Sequence, residues 1–269
     1  MNNLKKLFNQ KNSGLLAVYF TAGYPEIDGT ADTIVQLAKA GADIVEVGMP
    51  FSDPLADGPT IQQSSKKALE QGMSIGRLFG QLAGIRARTQ VPLVLMGYLN
   101  PVLQFGLQRF CKQCREVGVD GLILPDMPLP WYEHNCKSLF EEYDLGSIFL
   151  VTPQTSGERI RQLDEASNGF LYAVSTSSTT GGNRGFGPEQ QAYFQRLANM
   201  NLKNPVLAGF GISTHEDFST VCRHLNGGVV GSAFIRAQQQ EITPSEFVKS
   251  IRGNGPQALH ATYQKIQHP

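Results

Sequence analysis

The sequence predicts one (β/α)8 TIM barrel of class α/β, occupying residues 1–269 as a single domain. Three observations predict it. Eight short runs rich in apolar and β-branched residues alternate with longer segments of helical period. The helix-to-strand joints repeat: Ala40-Gly41-Ala42-Asp43 precedes the second run and Val117-Gly118-Val119-Asp120 the fourth, each with glycine where a helix C-cap calls for it. No Ser/Gly-rich linker or break in composition divides the chain, which disfavours a two-domain, doubly wound arrangement.

The elements follow in order. Leu4, Leu7 and Phe8 stand at helical spacing and predict a short N-terminal helix packed on the barrel floor. Strands are expected at 15–20, 43–47, 92–98, 120–124, 147–151, 170–174, 205–208 and 228–230. Helical segments are expected at 30–40, 60–69, 74–88, 107–117, 132–143, 157–167, 188–200 and 215–225, with a short helix starting near Ser232 and a closing helix past Thr243. A chain of 269 residues with 41% hydrophobic content can bury the core this needs.

Composition excludes several classes of function. The 23 basic and 23 acidic residues balance, so the electrostatic footprint of a nucleic-acid binder is missing. The first ten residues lack the apolar stretch of a signal peptide, and no apolar run is long enough to span a bilayer. A soluble, cytoplasmic protein is expected. Cys111 and Cys114 form a CxxC with no second pair and no nearby histidine, so buried thiols are expected there in preference to a metal or redox site. The histidines at 134, 215, 224, 260 and 268 show no metal-binding spacing, and no metal is expected.

Glu46 is the most informative residue. It lies within the apolar run Ile44-Val45-Glu46-Val47-Gly48, where alternation puts Ile44, Glu46 and Gly48 on one face and the valines on the other. If helices cover the valine face, the carboxyl points into the barrel, and burying its charge unpaired would cost several kcal/mol or more. Such a group is paired, protonated or used in chemistry. A second acid, Asp57, follows in the proline-rich loop Pro50-Phe51-Ser52-Asp53-Pro54-Leu55-Ala56-Asp57-Gly58-Pro59. Two acids in different surroundings at one strand end suit acid/base catalysis. The structural alternatives are a buried Glu46 paired with a tyrosine or a basic group, and an Asp57 serving as a turn residue or helix cap.

Active sites of such barrels lie at the C-terminal strand ends. Gly209-Phe210-Gly211-Ile212-Ser213 follows the seventh run and Gly231-Ser232-Ala233 the eighth, the usual phosphate position of this fold; plain turns are the alternative. The long segment 175–187 after the sixth run, rich in hydroxyls and glycine, reads as a lid or as an ordinary surface loop.

The run 45–62, with PFSDPLADGP at its centre, closely resembles the signature of the tryptophan synthase α-subunit family. The resemblance extends through Thr21-Ala22-Gly23-Tyr24-Pro25, Met96-Gly97-Tyr98-Leu99-Asn100-Pro101, Leu124-Pro125-Asp126-Met127-Pro128 and the two glycine clusters. It implies a carbon–carbon lyase that cleaves indole-3-glycerol phosphate to indole and glyceraldehyde 3-phosphate by a retro-aldol reaction. Glu46 is then the acid/base, Asp57 the partner of the indole N–H, Thr180 the lid threonine and Tyr172 the tyrosine near the glutamate. Tyr19 would line the indole pocket, while Gly181, Phe210, Gly211, Gly231 and Ser232 would hold phosphate. The resemblance also implies a β subunit in a heterotetramer of two α and two β chains, with pyridoxal phosphate on β and no cofactor on this chain. The contact surface would include Asp53, Pro54, Asn100 and Asp126, though Asp126 also reads as a turn-former. The lid departs from the family's pattern: Thr176-Ser177-Ser178-Thr179-Thr180-Gly181 lacks the arginine and the glycine that many members carry ahead of the threonine. Three other readings share much of this site: a free-standing indole-3-glycerol-phosphate lyase, another phosphosugar enzyme such as an isomerase, and a non-catalytic activator of β.

Overall fold

The computed structural model describes residues 2–54, 57–175 and 185–254. Eight strands, β1 (Leu15–Thr21), β2 (Ile44–Gly48), β3 (Leu93–Met96), β4 (Gly121–Ile123), β5 (Gly146–Val151), β6 (Leu171–Val174), β7 (Val206–Gly209) and β8 (Gly227–Val230), pair in sequence order, and β8 closes on β1. Every pairing is parallel.

The first helices are α1 (Asn3–Gln10), α2 (Thr30–Ala40), α3 (Pro59–Glu70), α4 (Ile75–Leu82), α5 (Leu99–Phe105) and α6 (Leu107–Val117). The rest are α7 (Leu129–Asn135), α8 (Lys137–Glu142), α9 (Gly157–Ala166), α10 (Pro188–Ala198), α11 (His215–Cys222), α12 (Ser232–Gln239) and α13 (Pro244–Arg252). Strand and helix bounds differ from expectation by a few residues, and three helical segments differ more. The expected helix 74–88 ends at Leu82, and a 3₁₀ turn (Ile85–Ala87) follows Gly84, whose φ of 75° breaks the run. The segment 132–143 is two helices divided at Cys136, the first beginning at Leu129. Helix α5 is not among the expected segments; its Pro101 falls in the first turn, where a missing N–H removes no helical bond.

Alternation along the strands builds two cores. Leu15, Ala17 and Tyr19 of β1 fill the barrel, while Leu16, Val18 and Phe20 pack outward against the helices. On β2, Ile44 faces in and Val45 and Val47 face out, so Glu46 points into the barrel as the alternation predicts. Helix α1 closes the floor: Leu4 is fully buried beside Gly121, Gly146 and Gly169, and Phe8 meets Phe170 edge-on at 6.3 Å.

The floor repeats one device. Near the start of each odd-numbered strand, a backbone N–H donates to a side chain from the joint before the next strand. Leu16 donates to Asp43 (2.8 Å), Leu93 to Asp120 (2.9 Å), Ser147 to Asn168 (2.6 Å) and Val206 to Asn226 (2.7 Å). Each bond satisfies an amide at the open end of the sheet. Gly41 and Gly118, the glycines of the repeating joints, are left-handed C-caps.

Candidate active site

Glu46 pairs in register with Tyr19 and has no solvent exposure. Neither carboxylate oxygen has a hydrogen-bond partner among the described residues, so the paired structural reading fails. Burial raises its pKa to about 8, leaving the carboxyl mostly protonated near neutrality. Asp57, in the loop between β2 and α3, is partly buried and accepts a hydrogen bond from the Tyr98 hydroxyl at 3.2 Å. Burial lifts its pKa to about 6, and the Tyr98 bond holds it lower than burial alone would. It is not the cap of α3, whose N-cap is Gly58. Two acids eleven positions apart in sequence thus occupy different protonation states around neutral pH.

Two tyrosines share this end of the barrel. A side chain on Gly48 would overlap the Tyr19 hydroxyl, and one on Gly209 would overlap that of Tyr172, so the glycines ending β2 and β7 make room for the phenols. Burial raises both phenols well above the usual range. The next largest cause is the Asp57 charge for Tyr19 and the Glu46 charge for Tyr172, which places all four groups within electrostatic reach.

A cavity of about 630 Å³ opens here, lined in part by Asp57, Tyr19, Tyr172 and Met96. Phe210, Gly211, Ser213, Gly231, Ser232 and Arg236 line it as well. Glu46 is not part of the wall; it lies within reach of the two tyrosines that are. The first residues of α12 face the cavity, bringing backbone N–H groups and the positive end of a helix dipole. Phe210 and Gly211 both have positive φ, 70° and 78°. For a bulky aromatic residue this conformation costs on the order of 1–3 kcal/mol and points to a constraint imposed by the site.

The family model for the tryptophan synthase alpha chain matches residues 5–256. The tryptophan synthase alpha chain of Flavobacterium psychrophilum is 52% identical over 244 residues, covering 90% of this chain and 96% of that one. The chain of the same name from Christiangramia forsetii is 51% identical over 245 residues, with coverages of 90% and 96%. The chain belongs to the tryptophan synthase alpha chain family. A crystal structure of tryptophan synthase subunit alpha from Legionella pneumophila superposes with a TM-score of 0.83 at 32% identity, covering 94% of this chain and 98% of that one. The activity is therefore that of the family's lyase, cleavage of indole-3-glycerol phosphate in tryptophan biosynthesis.

Within this family frame, most expected site residues converge. Glu46, Asp57, Tyr19 and Tyr172 cluster, and Phe210, Gly211, Gly231 and Ser232 share the cavity. Thr180 and Gly181 lie outside the described residues. Asp53 and Asn100 are exposed and Pro54 partly so, in the segments after β2 and β3. Exposed Asp126, after β4, accepts from the Leu99 N–H at 2.9 and 3.1 Å and so ties its segment to the start of α5. Leu103 on α5, 43% exposed, adds an apolar spot to this rim. Sequence reasoning missed Tyr98 and Arg236 as site residues. Arg236 stands four positions after Ser232, one helical turn, and that spacing was a usable signal. Cys111 and Cys114 are buried free thiols in the outer core. Among the described residues no acidic, histidine or cysteine cluster is placed to hold a metal, and no helix is long and apolar enough to cross a membrane.

Proposed function

We propose that Glu46 and Asp57 divide the acid–base work of the cleavage. The observation that carries this is Glu46: a fully buried carboxyl with no hydrogen-bond partner among the described residues, near a second acid whose pKa, raised by burial only to about 6, leaves it mostly ionised at neutral pH. Seating the indole against Tyr19 and Tyr172 puts it at the two wall residues that lie within reach of Glu46. The protonated carboxyl gives its proton to the indole C3, and the positive charge that develops on the ring faces the Asp57 carboxylate through the indole N–H. Glu46, now a carboxylate, takes the proton from the glycerol hydroxyl next to the ring. The carbon–carbon bond breaks, its electrons restore the indole, and the aldehyde forms as Glu46 recovers its proton. The phosphate is held by the amides of Gly211, Gly231 and Ser232 at the start of α12, with Phe210 alongside. Thr180 and Gly181 complete the site from the loop after β6, a role that rests on the family resemblance.

The rest of the reading concerns the setting. One catalytic domain spans the chain, works in the cytoplasm without a cofactor of its own, and passes indole to a β subunit carrying pyridoxal phosphate in an assembly of two α and two β chains. The rim of Asp53, Pro54, Asn100 and Asp126, with exposed Leu103, is the contact surface; its common location at the C-terminal strand ends supports this. Turnover of indole-3-glycerol phosphate by Glu46→Gln and Asp57→Asn tests the chemistry. Glu46→Gln is expected to lose roughly two to four orders of magnitude in kcat while binding glycerol 3-phosphate as the wild type does. Wild-type turnover in that variant would remove Glu46 from the mechanism.

A further inference from the structure

We infer that Ser175 is a positioning residue for phosphate binding: its buried hydroxyl clamps the turn after β7 in the backbone conformation that aims the turn's amides into the cavity. Ser175 follows β6, is fully buried and borders the cavity. Its N–H continues the sheet by donating to the Gly209 carbonyl at 3.0 Å. Its hydroxyl goes beyond the sheet pattern, reaching the Gly209 carbonyl at 2.7 Å and the Phe210 carbonyl at 2.6 Å. One hydroxyl hydrogen is therefore shared between two successive carbonyls across the β6–β7 boundary.

Those carbonyls flank the strained step. Phe210 has a φ of 70° and Gly211 one of 78°, and only the glycine adopts such a conformation freely. Something must hold Phe210 there, and two contacts from β6 and the residue that follows it converge on it. The Ser175 hydroxyl fixes its carbonyl, and the Tyr172 ring meets its ring edge-on with centroids 6.3 Å apart. Releasing the carbonyl lets Phe210 return toward ordinary φ values, and the Gly211 amide turns with the peptide plane. Because the hydroxyl is already committed to two carbonyls, Ser175 acts through the turn, not by touching the ligand.

This inference rests on the phosphate site proposed above, and the test separates the two. Calorimetry with glycerol 3-phosphate, together with steady-state kinetics, is applied to Ser175→Ala, Ser175→Thr and Gly211→Asp. Ser175→Ala is expected to raise the Kd and the KM about five- to tenfold, the loss of one buried hydrogen bond, with kcat changed less than about twofold. Ser175→Thr, which restores the hydroxyl, is expected to recover most of the affinity. If the alanine variant does not fold, Ser175→Cys keeps the shape with a much weaker donor and is expected to show the same KM-selective loss. A folded Ser175→Ala or Ser175→Cys protein with unchanged Kd, beside a Gly211→Asp protein that no longer binds, overturns the role of Ser175 alone. Unchanged binding in Gly211→Asp moves the phosphate elsewhere, and both conclusions fall.

Discussion

Asp43, just ahead of β2, and Glu46, in the middle of it, stand three residues apart, and the structure treats them oppositely. Asp43, on the floor, accepts from Lys11 at 2.8 Å, from Arg252 at 2.6 Å and from the Leu16 N–H at 2.8 Å. Glu46, at the catalytic end, accepts from nothing among the described residues. The floor pattern recurs two strands further round, where Asp120, just ahead of β4, meets Arg86 and the N–H groups of Leu93 and Asn3. Carboxylates on the floor are saturated with donors and hold the barrel together. The acid at the catalytic end is left unsatisfied, which raises its pKa and lowers the stability of the fold. The contrast agrees with the general division of these barrels into a stabilising face and a catalytic face.

The sharpest way to break this comparison is to remove the strain at Glu46. Its folded-state pKa, about 8, lies above the ordinary value of 4.5, so the folded protein holds a proton that the unfolded chain releases between those limits. Its contribution to stability is therefore complete below pH 4.5 and is lost as the pH rises through 8. Glu46→Gln, neutral at every pH, is expected to match the wild type near pH 4.5 and to exceed it at pH 8.5 by on the order of a few kcal/mol. Denaturant midpoints measured across that range decide it. Parallel curves for the two proteins would mean that Glu46 is satisfied after all.

Just ahead of the strand the expectation reverses. Asp43→Ala strips three donors of their acceptor and is expected to cost about 2–3 kcal/mol in denaturant unfolding, with kcat near the wild-type value in the protein that remains folded. A loss of kcat without a loss of stability would erase the distinction between floor and catalytic end.

A smaller effect should appear in the pH–rate profile. With Asp57 ionised and Glu46 protonated as the active combination, kcat/KM is expected to rise as pH passes about 6 and to fall as it passes about 8. A profile flat from pH 5 to 9 would contradict the assignment.

The finest adjustment is Tyr98→Phe. Losing the 3.2 Å bond removes the contact that holds the Asp57 pKa down, so the acidic limb should move to higher pH while the alkaline limb, set by Glu46, stays in place. Movement of both limbs together would mean that the two acids titrate as one coupled pair.

Much of this molecule is legible in its sequence because the relevant signals are local. Strand alternation alone places Glu46 on the inner face, since a period of two assigns Ile44, Glu46 and Gly48 together wherever the valines pack outward. The recurring glycine-aspartate joints announced the helix C-caps, and the amphipathic start announced the floor helix. What local pattern could not supply were contacts between elements distant in sequence. Tyr98 meets Asp57 across 41 positions because β3 lies next to β2, and Ser175 reaches Phe210 across 35 because β7 lies next to β6. Asn168 and Asn226 carry no glycine-aspartate signature, yet they perform the task of Asp43 and Asp120. Periodicity along the chain determines which face a side chain takes. Closure of the barrel decides what that side chain meets, and so whether a carboxyl such as Glu46 is left without a donor among the described residues and kept protonated near neutrality.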